Sequence, residues 1–220
     1  MNKYKILIII CFILLSVNLP RVTAVVKNMN LLGKTIILDA GHGGVDSGAQ
    51  SNNIIEKEIN LVLVKKLESE LISRGSIVYL TRKDDKDLST TTINRKRKDL
   101  YNRAKYINDI SPDMYISVHL NSTTSKNWKG LQVFYTNKNK ENQKIAETIT
   151  NHLKQNISNV REIKQDNTYY MYKQIKSPGI LIEAGFISNP NDNYLLRQEW
   201  YQDKLINLIA DSIEIYFQNA

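Results

Sequence analysis

Short apolar runs alternate with longer segments of helical periodicity along most of this chain. The run at residues 34–38 ends at a glycine-rich turn that contains His42, and the run at 114–118 leads directly into His119. Runs of this length are typical of buried strands, and strands that alternate with helices favour a parallel sheet. We therefore predict a single α/β domain, with a mainly parallel, twisted sheet of about five to six strands and helices on both faces.

The same patterns give approximate bounds for the remaining elements. Residues 56–74 carry an apolar residue every four positions, as an amphipathic helix does. We predict further strands at 77–80, 131–135 and 179–185, and further helices at 93–108, 140–157 and 199–217. The tyrosine-rich segment 161–176 has no regular period and is predicted to be irregular.

The first 24 residues differ in kind from the rest. Lys3 and Lys5 precede an apolar run at 6–17, and Val22, Thr23 and Ala24 are small enough for a signal peptidase. The run is shorter than the roughly 18–20 apolar residues of a membrane span, so a cleaved signal peptide is favoured over an N-terminal anchor. Residues 25–33 are then a connector, membrane contact is confined to the N-terminal segment, and the expected location is extracytoplasmic.

Cysteine content and charge exclude several classes of function. The only cysteine, Cys11, lies in the N-terminal apolar run, so a mature chain would have no thiol for catalysis or for zinc. Without its first 24 residues the chain keeps 27 basic and 22 acidic residues, a net charge of +5. This modest positive excess would favour binding to an anionic polymer such as a bacterial wall. It is equally expected of an ordinary solvated surface that keeps a protein soluble. No arginine-rich run with interleaved aromatic residues indicates nucleic-acid binding.

Four residues with metal-binding or acid/base side chains fall at one edge of the predicted sheet. Ligands of such sheets bind beyond the carboxyl ends of the strands, where we place the loops that contain His42 and His119. Glu183 ends the strand 179–185, and either Glu56 or Glu58 can reach the edge from the first helix. Two histidines, one carboxylate and an open position match a catalytic zinc site.

Glu183 is better suited to be a general base than a ligand. Its neighbours Ile182 and Ala184 are apolar, so desolvation is expected to raise its pKa towards neutrality. The alternative is a buried ion pair with an arginine. His152 belongs to a different part of the chain and is predicted to face solvent. The glycine turn fits neither a dinucleotide fingerprint nor a P-loop, and no serine elbow is present.

Four motifs together resemble the zinc-dependent N-acetylmuramoyl-L-alanine amidases of the Amidase_3 family. They are ILDAGHGG at 37–44, EKEIN at 56–60, ISVHLN at 116–121 and IEAGFISN at 182–189, and the similarity extends over residues 34–217. The resemblance implies that residues 34–220 form a catalytic amidase domain. It further implies that His42, Glu56 and His119 bind Zn²⁺ and that Glu183 is the catalytic glutamate.

The implied substrate is peptidoglycan, cut between N-acetylmuramic acid and L-alanine. Asn121, Arg82 and Arg95 match positions where the family has recurrent polar residues, and we expect them beside the substrate or behind the ligands. A small, exported, single-domain member of this kind resembles the sporulation amidases. That likeness implies a role in spore cortex maturation through muramic-δ-lactam, a location such as the forespore intermembrane space, and an accessory lipoprotein partner. The alternatives are a zinc peptidase that cuts within the stem peptide and a non-catalytic wall-binding protein.

Overall fold

The computed structural model describes residues 29–51 and 54–220. The predicted signal peptide and the first residues of the connector therefore lie outside the described residues. No helix among the described residues is long and apolar enough to cross a membrane.

The described chain folds into eight strands and five α-helices. The strands are β1 (Thr35–Ala40), β2 (Gln50–Ser51), β3 (Ile54–Ile55), β4 (Ile77–Leu80), β5 (Met114–Asn121), β6 (Gln132–Tyr135), β7 (Lys164–Gln165) and β8 (Gly179–Phe186). The helices are α1 (Glu56–Ser73), α2 (Arg95–Ile110), α3 (Glu141–Asn156), α4 (Pro190–Leu196) and α5 (Glu199–Gln218), with a 3₁₀ turn at Met171–Lys173.

Six of the strands form one twisted sheet in the order β4-β1-β5-β8-β6-β7. All neighbours are parallel except β6 and β8, which are antiparallel. Strands β2 and β3 make a separate two-stranded hairpin before α1. The prediction of a single α/β domain with a mainly parallel sheet of five to six strands is confirmed.

Two apolar clusters show that helices cover both faces of the sheet. Alternate residues of β1 point to opposite faces, so Ile36 and Leu38 join one cluster while Ile37 joins the other. The larger cluster includes buried side chains of α1, α3 and α5. The smaller one combines α2 with the 3₁₀ turn. Asp39 follows the alternation of Ile37 and therefore belongs to the α2 face.

Several local predictions need correction. Both β5 and β8 are longer than predicted, because their pairing continues past residue 118 and past residue 185. His119 therefore lies within a strand and not in the loop after it. The segment 161–176 is not wholly irregular, since it contains β7 and the 3₁₀ turn, and the short helix α4 was not predicted. His152 is half-buried, with Nε2 4.0 Å from Asp211 Oδ2, so the prediction of a solvent-facing residue is wrong.

Packing of α1 on the sheet is tested by truncation of its inner face. Leu67 is fully buried, whereas Ile72 of the same helix is 53% exposed. We expect Leu67→Ala to lower the free energy of unfolding by about 2–5 kcal/mol, because it removes a core side chain and leaves a cavity. Ile72→Ala is the control and should change that energy by less than about 0.5 kcal/mol. Urea unfolding measures both, and equal effects would contradict this orientation of α1.

Candidate metal centre

The turn after β1 holds His42 in a left-handed backbone conformation, with φ of 62°. This conformation is uncommon for a residue with a side chain. The imidazole lies between two carboxylates: Nδ1 is 2.9 Å from Asp46 Oδ2, and Nε2 is 3.0 Å from Glu56 Oε1. Although burial opposes the charged form, the two carboxylates raise the pKa of His42 above its usual value.

Glu56 begins α1 and lies between the two histidines. Its Oε1 atom is 3.0 Å from His42 Nε2 and 3.2 Å from His119 Nδ1. The backbone amides of Ala49 and Leu120 donate hydrogen bonds to the same carboxylate, at 2.8 and 3.0 Å. Burial favours the neutral acid, but hydrogen bonds and charge from the two histidines hold the pKa of Glu56 far below its usual range.

Two glycines make room for these side chains. A Cβ atom on Gly41 would lie 2.3 Å from the ring of His119, and one on Gly48 would lie 2.5 Å from Glu56 Oε2. Gly48 also has a positive φ of 66°, which favours glycine. The glycine-rich turn therefore lets the backbone approach the His–Glu–His cluster closely.

Glu183 lies beside His119 because these two residues are paired in register on β8 and β5. Its Oε2 atom is shielded from solvent and has no hydrogen-bond partner among the described residues. Burial raises the pKa of Glu183 to about 7, with Glu56 adding to the rise and the two histidines opposing it. Among the residues that the structure describes, no arginine shifts the pKa of Glu183, which argues against the ion-pair alternative.

Arg82 lies behind the turn that carries His42. It is 3% exposed, and its guanidinium donates four hydrogen bonds to backbone oxygens within the described chain. Two of these acceptors are the carbonyls of Ala40 and Gly41, at 2.9 and 3.1 Å, and a third is the carbonyl of Lys57, at 2.7 Å. The geometry supports a role behind the turn and leaves little of the guanidinium for a substrate.

A second buried arginine was not predicted from the sequence. Arg103 is 1% exposed and donates from Nη1 to Asp39 Oδ1 at 2.9 Å and from Nε to Asp99 Oδ2 at 2.9 Å. It also donates to the carbonyls of Ala40 and His42, at 2.7 and 2.6 Å. Arg103 thus connects β1 and α2 to the backbone of the residue that carries the first imidazole.

Tyr169 also contacts the cluster and was missed. Its hydroxyl is 3.4 Å from His119 Nε2, on the side of the ring away from Glu56. Burial raises the pKa of Tyr169 far above its usual value, so the hydroxyl is neutral. The tyrosine-rich composition of 161–176 was the only signal for this contact, and composition does not specify which ring reaches the site.

The other two candidate polar residues lie further out. Asn121 is the half-buried last residue of β5, and its backbone carbonyl accepts from the amide of Ile187. Arg95 is 38% exposed and donates to Asp87 at 2.8 Å. Neither has a hydrogen bond to the His–Glu–His cluster among the described residues.

The structure brings His42, Glu56 and His119 together with ligand-competent atoms within 4.8 Å of one another, a group that could hold a metal ion. Glu58, the alternative on spacing, is exposed on α1. The donor set of two imidazoles and one carboxylate suits Zn²⁺, and Asp46 behind His42 is the kind of support that orients a metal-binding imidazole. Glu183 adjoins this group as the register partner of His119, and its Oε2 atom accepts no hydrogen bond from any residue that the structure describes.

Residues 36–215 match the sequence profile of the Amidase_3 family, which is described as N-acetylmuramoyl-L-alanine amidase. The chain belongs to this family. It is also 39% identical over 195 residues to the germination-specific N-acetylmuramoyl-L-alanine amidase of Bacillus subtilis, covering 86% of this chain and 82% of that protein. Membership of the Amidase_3 family makes the chain an N-acetylmuramoyl-L-alanine amidase, an enzyme that acts on peptidoglycan.

Two further relatives extend the comparison. The probable cell wall amidase LytH of Staphylococcus aureus is 35% identical over 205 residues, which is 91% of this chain and 64% of that protein. The solved CwlD amidase of Clostridioides difficile, in complex with the GerS lipoprotein, superposes with a TM-score of 0.81 at 36% identity. That match covers 85% of this chain and all of the solved chain.

The buried ion pair between Asp39 and Arg103, behind the turn, is expected to make the stability of the fold depend on pH. Burial favours neutral Asp39, but Arg103 and the hydroxyls of Ser117 and Thr81 lower its pKa from 3.8 to about 2. The pair therefore stabilises the fold above pH 3.8, and this contribution is lost as pH falls through 2. We expect Asp39→Asn to cost about 3 kcal/mol at neutral pH, because Arg103 loses a buried charged partner.

Urea unfolding between neutral and acidic pH measures this effect. The difference between wild type and Asp39→Asn should be constant above about pH 5 and shrink towards pH 2. Asp109→Asn is the control, since its side chain is 59% exposed and pairs with Lys105 at the surface. That variant should change the unfolding free energy by less than about 0.5 kcal/mol. A pH-independent Asp39→Asn difference would show that the pair does not carry this energy.

Proposed function

We propose that this amidase hydrolyses the amide between the lactyl group of N-acetylmuramic acid and L-alanine with Zn²⁺ held by His42, Glu56 and His119. The observation that carries the proposal is the convergence of these three side chains within 4.8 Å beside Glu183, whose buried Oε2 has no hydrogen-bond partner within 29–51 and 54–220. Bound Zn²⁺ supplies Lewis-acid chemistry, which polarises a carbonyl and lowers the pKa of water to about 7.

Side chains of this protein carry out the proton transfer and hold the site in position. Glu183 acts as the general base: its carboxylate takes a proton from the attacking water and delivers it to the nitrogen of L-alanine as the C–N bond breaks. A pKa of about 7 suits both steps, because the group is partly ionised near neutral pH. Asp46 holds Nδ1 of His42, which directs Nε2 towards Glu56. Arg82 and Arg103 fix the backbone of the turn.

The biological setting is part of the same proposal. The germination-specific relative and the CwlD complex with a lipoprotein support a role in spore cortex maturation, where removal of stem peptides precedes muramic-δ-lactam formation. They also support an accessory lipoprotein partner for this chain. Action on peptidoglycan requires an extracytoplasmic location, such as the forespore intermembrane space, and we propose that residues 1–24 direct export.

Zinc binding is tested by replacing Glu56 and, separately, Glu58, the two carboxylates that sequence spacing alone could not distinguish. We expect Glu56→Ala to weaken zinc binding by more than about 100-fold, since loss of a supporting residue alone costs about 10- to 100-fold. Glu58→Ala removes the same group from an exposed position on the same helix and should bind zinc as the wild type does. Calorimetric titration with zinc measures both. Equal affinities for the two variants would reject Glu56 as a ligand.

The reaction is tested by its products. Purified peptidoglycan treated with the zinc-loaded chain should release new L-alanine amino termini and no new reducing sugar ends. Amines freed from within the stem peptide would instead favour the zinc peptidase, and binding without any product would favour the wall-binding protein. If no product forms, the accessory lipoprotein is added. Product that then appears shows an amidase that lacked its partner, whereas continued inactivity favours the wall-binding protein.

Glu183→Gln completes this test because it keeps the shape of the side chain and removes the base. We expect zinc affinity to be retained and turnover to fall by about 10²- to 10⁴-fold. Glu58→Gln is the matched control and should keep full activity. Undiminished turnover in Glu183→Gln would reject Glu183 as the general base.

A further inference from the structure

Four consecutive basic residues, Arg95 to Lys98, begin α2, and no acidic residue lies in its first turn. The start of a helix carries partial positive charge, so cations at this end oppose helix formation. Stability of α2 therefore does not account for the run, and its charges need another explanation.

The four side chains have different partners. Arg95 pairs with Asp87 and Lys96 pairs with Asp46. The guanidinium of Arg97 instead lies 5.1 Å from the ring centre of Tyr170, and Lys98 Nζ lies 4.8 Å from that of Tyr101. Within 29–51 and 54–220, the ion pairs include none between Arg97 or Lys98 and a carboxylate, so both charges remain available to an anion.

Both cations line an open groove. Arg97, Lys98, Tyr101 and Tyr170 are among the residues that line a volume of about 340 Å³. A second volume of about 610 Å³ adjoins it, because Arg97 and Tyr170 line both. Cationic groups beside aromatic rings suit a peptide that offers a carboxylate together with apolar side chains.

Two neighbouring residues, Tyr169 and Asp46, link the groove to the candidate metal centre. Tyr170 directly follows Tyr169, whose hydroxyl is 3.4 Å from His119 Nε2. Lys96 of the adjoining volume is 3.0 Å from Asp46, and the same carboxylate oxygen is 2.9 Å from His42 Nδ1. These two contacts place the groove next to residues that surround the metal centre.

We propose that the groove lined by Arg97, Lys98, Tyr101 and Tyr170 is a subsite for a free carboxylate of the stem peptide while the scissile amide lies at the metal centre. This inference rests on the proposed function. The stem peptide continues from L-alanine to a C-terminal carboxylate, whereas the glycan side of the bond offers neutral hydroxyl and acetamido groups. A planar guanidinium can donate two hydrogen bonds to one carboxylate, and the neighbouring ammonium adds charge.

The test uses synthetic N-acetylmuramoyl peptides of two, three and four residues, each with a C-terminal carboxylate or carboxamide and no other acid. For at least one length we expect the zinc-loaded enzyme to prefer the carboxylate by about tenfold in kcat/KM, since a charge-assisted contact is lost in the amide. Arg97→Gln/Lys98→Gln should abolish the preference by raising KM while kcat stays unchanged.

Lys65→Gln/Lys204→Gln is the matched control, because it removes two positive charges from exposed positions on α1 and α5. It should keep the full preference. The subsite is overturned if the wild type shows no preference at any length, if the preference survives Arg97→Gln/Lys98→Gln, or if the control loses it equally.

A binding measurement separates this inference from the proposed function. Calorimetry with Glu183→Gln compares the two peptide forms without turnover, and exchange of Arg97 and Lys98 in that background should remove the tighter binding of the carboxylate. If the wild type hydrolyses neither form but this difference is observed, the proposed function fails and the subsite stands. If hydrolysis proceeds and neither form binds more tightly, the reaction stands and the subsite fails.

Discussion

Three consecutive carbonyl groups, those of Ala40, Gly41 and His42, depend on two buried arginines. The chain leaves β1 at this point, and Arg82 and Arg103 between them donate to all three oxygens. Asn60 adds a second donor to the Gly41 carbonyl, and both guanidinium groups are almost fully buried. Buried carbonyls without donors would destabilise the turn, and so would a left-handed His42 that nothing held in place. The buried guanidinium groups of Arg82 and Arg103 therefore hold the turn of the candidate metal centre in place.

Burial of the Arg103 charge is possible because Asp39 of the sheet and Asp99 of α2 lie at the same depth. Asp39 belongs to β1, and its register partner on β5 is Ser117, whose hydroxyl donates to the Asp39 carboxylate. The next residues of this face are His119 on β5 and its partner Glu183 on β8. One face of the sheet thus carries first the Asp39–Arg103 pair and then the catalytic candidates. The opposite face carries the larger apolar core, which fixes the strands in register.

The sequence predicts the parts of this arrangement that depend on local pattern. Apolar runs and four-residue periodicity locate most strands and helices, and the rule that ligands bind at the carboxyl edge brings His42, His119 and Glu183 to one place. It does not predict the Asp39–Arg103 pair, because 64 residues separate the partners and neither position breaks a local pattern. The same limit applies to Tyr169. Choosing Glu56 over Glu58 required the family resemblance, since both begin the same helix and only the fold shows which one turns inward.

The two glutamates of the site, Glu56 and Glu183, support different roles because their surroundings differ. Glu56 has two imidazoles and two backbone amides against its oxygens, which stabilise the carboxylate at any ordinary pH, as a metal ligand requires. Glu183 is half-buried, and its shielded Oε2 atom has no hydrogen-bond partner in the described part of the chain, so burial destabilises the charged form and raises its pKa to about 7. Carboxyl groups whose environments drive their pKa values apart are the usual basis for assigning acid/base roles. The hydrogen bonds that Glu56 accepts keep it ionised, as a metal ligand must be. Glu183 Oε2 accepts none from the described residues, so this carboxyl group can gain and lose a proton near neutral pH.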